Sequence, residues 1–172
     1  MAPKLFTESI LRKAKMGANE INYLNRLSLQ AWYKLIAEAA VESDGNASLY
    51  PARWRERNTD RLDIGLACFA HCGVASWLYA TVMTLAGKTC KIKYYVDLQH
   101  VTVLVDGAEV DITLPQHTRK FDGSKSEEVV VIPLSDIETF VKNDPYGTAL
   151  RFERFVIAVA RILRKRKARR GR

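Results

Sequence analysis

Between residues 73 and 86 the chain carries no charge, and only Ser76, Thr81 and Thr84 interrupt its apolar surface before Gly87 supplies a helix stop. A helix of that composition is apolar on every side, so it is predicted to be buried nearly all round, with the other elements arranged about it. Upstream, Ile21, Leu24, Leu27, Ala31 and Leu35 recur at helical spacing with Trp32 and Ile36 beside them. This predicts an amphipathic helix over 20–42, capped by Asn19, that leaves Asn25, Arg26, Lys34 and Glu38 to solvent. Thr7 is the expected cap of a shorter helix over 8–18. Ser43, Asp44, Gly45 and Asn46 have turn chemistry, and the stretch to Asp63, with Arg53, Arg55, Arg57 and Arg61, shows no period. It either lines a site or connects elements.

Beyond Gly87 the pattern changes to alternation and β-branching over 90–96, 100–105 and 108–114, which predicts three strands. Asp106-Gly107 between the last two is a hairpin signal, because a type I′ turn needs positive φ at both central positions. Residues 115–127 are polar and loop-like, and 128–132 predict a fourth strand. Ser135 and Glu138 have the spacing of a capping box that opens a short helix. Asp144-Pro145-Tyr146-Gly147 predicts a turn, followed from Thr148 by a helix that carries Phe152, Phe155, Val156, Val159, Ile162 and Leu163 inward. The fold class expected is α+β.

Composition narrows this picture in three ways. The 172 residues, 48% of them hydrophobic, suffice for one domain with a real core, expected over 1–160 with the N-terminal helices at 8–42 included. Eight of the 27 basic residues fall beyond Ala160, and the 19 that remain match the 19 acids. The net charge of +8 therefore belongs to a basic tail, 161–172, on a nearly neutral body. The three cysteines, Cys68, Cys72 and Cys90, are an odd number, and the N-terminal residues lack the apolar run of a secretory signal. The expected setting is reducing and cytoplasmic. Residues 64–86 are uncharged and about long enough to span a bilayer. His71, Gly65, Gly73 and the three hydroxyl residues inside the run favour a buried core element instead.

The candidate chemistry lies where these patterns meet. Cys72 opens the uncharged helix, where unpaired backbone N–H groups and the positive end of the dipole favour the thiolate, the attacking form of cysteine. The bland alternative is a small core hydrophobe, the commonest role of a free cysteine. If the hairpin closes as a two-residue turn, Val105 faces Ala108, Thr102 faces Asp111 and His100 faces Thr113. His100 and Asp111 then become diagonal neighbours on one face, within reach of each other. An imidazole oriented by a carboxylate presents its other nitrogen to a thiol. Taken singly, His100 reads as an exposed strand-end histidine and Asp111 as a solvated carboxylate. With Cys72 they make a Cys, His, Asp series.

Residues 71–111 resemble the transglutaminase-like branch of the papain-like cysteine enzymes. In that branch the nucleophile opens a buried helix with a Leu-x-Gly stop, a strand follows, and a hairpin begun by His carries an Asp on its return strand. The resemblance covers about a quarter of the chain. It assigns Cys72 as nucleophile, Leu85-Ala86-Gly87 as the stop, 90–96 as the first strand, His100 as base and Asp111 as the orienting acid. It implies a papain-like domain in which N-terminal helices and a buried Cys-bearing helix pack on a small antiparallel sheet, followed by a C-terminal helix with a basic tail. It also implies a thioester formed from an amide or acyl substrate and resolved by water or an amine. That class includes protease, amidase, deamidase and transglutaminase chemistry on a protein or peptide, with no cofactor and no metal. Two departures stand out. No Gln or Asn lies between Thr59 and His71 to act as a side-chain oxyanion donor, which leaves the Cys72 N–H, with Gln99 as a candidate partner. The link Asp97-Leu98-Gln99 is also short where relatives often insert a substrate-binding loop.

Two rival readings use the same residues differently. Cys68 and Cys72, four apart, share a helix face and with a histidine make a thiolate–imidazole set suited to zinc, although the spacing is no standard knuckle. Alternatively the chain is a non-catalytic binding protein whose basic tail sits on nucleic acid or an anionic membrane. Against the second, the body lacks a basic stripe interleaved with aromatics.

Overall fold

The computed structural model describes residues 6–44, 71–113, 122–137 and 148–171. In chain order these form α1 (Phe6–Lys13), α2 (Ala18–Asn25), α3 (Leu29–Asp44), α4 (Cys72–Leu85), β1 (Cys90–Tyr95), β2 (His100–Val105), β3 (Ala108–Val110), β4 (Val129–Pro133) and α5 (Thr148–Arg170). The strands make one antiparallel sheet in the order β3-β2-β1-β4, and the chain is α+β.

The uncharged run becomes α4, and its position explains its composition. One side packs on β1 and β2, and another packs on α5, which in turn packs on α3. Trp77 stacks on Phe152 of α5 with ring centroids 3.8 Å apart, while Tyr79 meets Trp32 of α3 edge-on at 5.2 Å. Leu78 and Val82 are buried with Leu35, Ile36, Phe155, Val159, Ile92 and Val103, so helices and sheet share one core. Gly87 ends the helix as its position predicts. With φ at +88° it supports a Schellman motif, in which Lys88 N–H donates to Met83 O at 3.0 Å and Gly87 N–H to Thr84 O at 2.9 Å.

The predicted hairpin forms in the predicted register. Val105 pairs with Ala108 and Val103 with Val110, and Asp106 and Gly107 have φ of 50° and 86°, the two positive values of a type I′ turn. Asp106 also fixes its own surroundings: its carboxylate accepts from Thr89 N–H at 3.0 Å and pairs with Lys88 at 2.9 Å.

Several boundaries correct the sequence reading. The helix predicted over 20–42 is two helices, because Ser28 Oγ accepts from Ala31 N–H at 3.2 Å and caps α3. Arg26 and Leu27 close α2 with short-range bonds to Tyr23 and Leu24. The helix assigned to 8–18 begins at Phe6 and stops at Lys13. Asn19 lies inside α2, whose N-cap is Gly17, with the Glu20 carboxylate accepting from the Gly17 N–H at 3.0 Å. The strand expected to reach Leu114 stops at Val110, since the Asp111 side chain captures the backbone two residues on. Around Ser135 a 3-10 turn spans Leu134–Asp136, with the Ser135 hydroxyl on Asp136 Oδ1. Glu138, the 144–147 turn and Arg53 to Arg61 lie outside the described residues.

The basic run set apart as a tail is the end of the helix: residues 161–170 are its last turns, and Ile162 and Leu163 are buried as their spacing predicts. Arg164 donates to Ala14 O at 3.0 Å, Arg166 pairs with Glu38 at 2.9 Å and Lys165 with Glu42 at 3.3 Å. Lys165 and Arg166 thus meet acids of α3, while Lys167, Arg169 and Arg170 in the last turn complement the negative end of the helix dipole. No helix among the described residues is long and apolar enough to cross a membrane.

Candidate active site

Three elements bring the predicted residues to one place. His71 caps α4, and Ala75 N–H on His71 O at 2.9 Å closes the first turn, so Cys72 stands at the first helical position, half-buried. One turn further, Ser76 Oγ donates to Val101 O at 3.3 Å and ties this face of α4 to the start of β2. His100 is the first residue of β2, with its side chain only 3% exposed. The Cys72 thiol faces Gln99 O at 4.0 Å and lies close enough to the His100 side chain to help raise its pKa.

The link before His100 is held from behind. Residues 96–99 turn the chain back, with Gln99 N–H on Val96 O at 3.2 Å and Gln99 itself in the left-handed region at φ 48°. Asp97 anchors the turn: its carboxylate accepts from Glu127 N–H at 3.0 Å and from the Ser126 hydroxyl. Those bonds hold the Asp97 carboxyl below its ordinary value. Gln99, the candidate oxyanion donor, instead turns its backbone carbonyl, an acceptor, toward the sulfur.

Asp111 follows β3 directly and meets His100 across the ribbon, with Oδ2 2.9 Å from Nε2. Its other oxygen accepts from Thr113 N–H at 3.0 Å and from the Thr113 hydroxyl at 3.3 Å. The backbone carbonyl of Asp111 accepts from Tyr33 of α3 at 3.4 Å. The acid is thus fixed at both ends.

Burial by itself would lower the His100 pKa. The hydrogen bonds to Asp111 and Cys72, with the attraction of both, outweigh it and raise the imidazole from 6.5 to about 9. The geometry therefore combines a thiol, an imidazole that carries its proton at neutral pH and a carboxylate that fixes the ring, the components of nucleophilic acyl chemistry.

A second polar group lies on the same sheet face, and the sequence reading did not single it out. Glu109 accepts from Tyr95 Oη at 2.6 Å, from Thr102 Oγ1 at 2.7 Å and from Lys93 Nζ at 2.8 Å. Burial pushes the Glu109 carboxyl up, but these bonds win and hold it low. Tyr95 is the cross-strand partner of His100, and its ring is covered by Gly123, where a Cβ would come within 2.5 Å. The alternation of 91, 93 and 95 against 100, 102 and 104 placed these residues together in principle.

Cys90 is buried against α4, and burial raises its thiol pKa. His71 is also buried, with its ring 6.2 Å from that of Phe155. Cys68, the other half of the zinc alternative, lies outside the described residues, and among those described no three His, Cys, Asp or Glu side chains are grouped to hold a metal ion. Comparison with protein-family models, with curated proteins and with solved structures finds no match.

Proposed function

We propose that the chain is a thiol-dependent amide hydrolase or acyl transferase, papain-like and of the transglutaminase-like type, working through Cys72, His100 and Asp111 in a reducing compartment. The observation that carries this reading is the meeting of the three residues: His100 Nε2 lies 2.9 Å from Asp111 Oδ2, and the Cys72 thiol faces the carbonyl of Gln99, the residue before His100, at 4.0 Å.

The reaction balances with these groups alone. Cys72 sulfur attacks the acyl carbon of an amide while its proton resides on His100, and the C–N bond breaks as His100 passes that proton to the departing amine. The thioester left on Cys72 is then attacked by water or a second amine, whose proton His100 accepts, and the sulfur leaves. Asp111 keeps the ring in the tautomer and orientation that serve both steps. The N–H groups of the first turn of α4 have no acceptor within the helix, so the Cys72 N–H is the donor offered to the developing oxyanion.

Trapping the thioester tests this. The intact protein is incubated with an activated ester of an N-acyl peptide, quenched in acid and mapped by mass spectrometry. One acyl group on Cys72, absent from Cys72→Ala and slowed at least tenfold in His100→Gln, is the expected result. Acylation spread evenly over Cys72 and Cys90, or unaffected by His100→Gln, would sink the proposal.

A further inference from the structure

A groove of about 280 Å³ lies between α2 and the last turns of α5, remote from the cysteine site, and is lined by Asn19, Tyr23, Leu163, Arg164, Lys167 and Arg170 among others. Phe155, whose ring neighbours His71, precedes Leu163 on α5 by eight residues, or about 12 Å along the helix. We propose that this groove binds the phosphates and a base of a nucleotide unit, either free or within a single strand of nucleic acid.

The charge of the groove is the first argument. Four cations, Arg164, Arg166, Lys167 and Arg170, face one carboxylate, Glu20. Glu20 is already engaged with the Gly17 N–H at the start of α2. Arg166 is balanced by Glu38, whereas among the described residues Arg164 meets the neutral Ala14 carbonyl, which orients its guanidinium, and pairs with no carboxylate. Among the described residues neither Lys167 nor Arg170 has an ion-pair partner, and both are exposed. An oriented arginine beside free cations suits phosphate oxygens, which accept two parallel N–H bonds from a guanidinium.

The lining between the cations is the second argument. Leu163 is 7% exposed, and the half-buried ring of Tyr23 packs on the core beside it, so the groove presents an apolar and aromatic wall with the Asn19 amide at its edge. A base stacks on such a ring whatever its identity, while the phosphates supply a salt-dependent attraction. A membrane surface fits less well. Residues 164–171 contain no apolar side chain larger than Ala168, so nothing there inserts into a bilayer.

Fluorescence anisotropy with the full chain tests the proposal, using a labelled single-stranded RNA of about 12 nucleotides and, separately, labelled ATP. The double variant Lys167→Glu, Arg170→Glu alters exposed, unpaired residues, and its thermal midpoint serves as the folding control. At least tenfold weaker binding is expected, with the salt dependence of RNA binding reduced by about 1.4 in slope for the two lost phosphate contacts. Tyr23→Leu should weaken binding several-fold and Tyr23→Phe should not. RNA bound in preference to ATP identifies a strand site, and the reverse a nucleotide pocket, either of which supports the proposal. Failure of both probes to bind, indifference to the double variant, or tighter binding to phosphatidylserine vesicles than to either probe would overturn it. Cys72→Ala leaves this groove intact, so its binding should match the wild type whatever becomes of catalysis.

Discussion

The Asp111 carboxylate divides its two oxygens between different tasks: Oδ2 meets His100 Nε2 at 2.9 Å, and Oδ1 accepts the Thr113 N–H at 3.0 Å. The second bond explains why the first is held. An Asx turn fixes the χ angles of Asp111, so little side-chain freedom is left to lose when the imidazole docks.

The first prediction follows from that division of labour. Cys72→Ala should abolish turnover, and His100→Gln should lower kcat by about 10²- to 10⁴-fold, the range of a lost general acid–base group. Asp111→Asn keeps the shape but can hold the wrong tautomer, so its kcat should fall by up to about 10⁴-fold with little change in KM. Thr113→Val retains the backbone bond and should cost less than tenfold. Steady-state kinetics on one small acyl substrate would rank the four, and a Thr113→Val loss equal to that of Asp111→Asn would contradict the assigned roles.

The raised pKa of His100 gives a pH dependence of stability with a definite sign. Folded His100 titrates at about 9 against an ordinary 6.5, so between those values the native state binds more protons than the unfolded chain. Its stabilising contribution is complete below about pH 6.5 and is lost as the pH rises through 9. Urea midpoints measured at pH 6, 7.5 and 9 should therefore fall for the wild type relative to His100→Gln, a comparison that cancels the other titrating groups. Parallel curves for the two proteins would show that the imidazolium is not held by Asp111 and Cys72.

The parts of this design that were legible in the sequence are those governed by local chemistry. Asp106-Gly107 fixes the hairpin register, and that register alone puts His100 diagonal to Asp111. Gly87 fixes the stop of α4, and its uncharged run foretold burial nearly all round, which holds from Val74 to Met83 and fails at exposed Thr84 and Leu85. The break at Ser28 escaped because Leu24, Leu27, Ala31 and Leu35 keep helical spacing across it, and spacing cannot separate a continuous helix from two in line. Tyr33 escaped for a different reason. Its bond to the Asp111 carbonyl joins residues 78 apart and has no local signature.

The basic run escaped because composition says nothing of what a charge faces. The sequence set 161–172 apart as a basic tail, yet 161–170 are helical and meet Glu38, Glu42 and Ala14. Removing 165–172 should therefore cost stability, though modestly, since exposed pairs such as Lys165–Glu42 contribute about 0.2 to 1 kcal/mol each. A fall of a few degrees in Tm is expected, shrinking at high salt, with turnover on a small substrate retained. Arg164→Ala, which removes the donor to Ala14, should add about 1 kcal/mol. A truncated protein that melts with the wild type would return the run to a solvated end.

The sharpest test of the site compares Cys72 with Cys90. Accessibility alone favours Cys72, which is half-buried where Cys90 is buried, so faster alkylation of Cys72 proves little by itself. The discriminating readout is the pH profile. An ordinary thiol with a pKa near 8.5 is almost wholly protonated at about pH 6, and its alkylation rate there drops with its thiolate fraction. The His100 ring beside Cys72 is positively charged at that pH and should sustain attack by the sulfur. Limiting iodoacetamide at about pH 6 should thus label Cys72 first, and His100→Gln should slow that labelling at least tenfold at pH 6 but much less at pH 9, where the ring loses its proton. Asp111→Asn should shift the profile in the same direction by a smaller amount, because it acts only through the ring. A Cys72 rate that follows the ordinary thiol curve in the wild type, or a His100→Gln effect equal at both pH values, would leave exposure as the whole explanation and remove Cys72 from the chemistry.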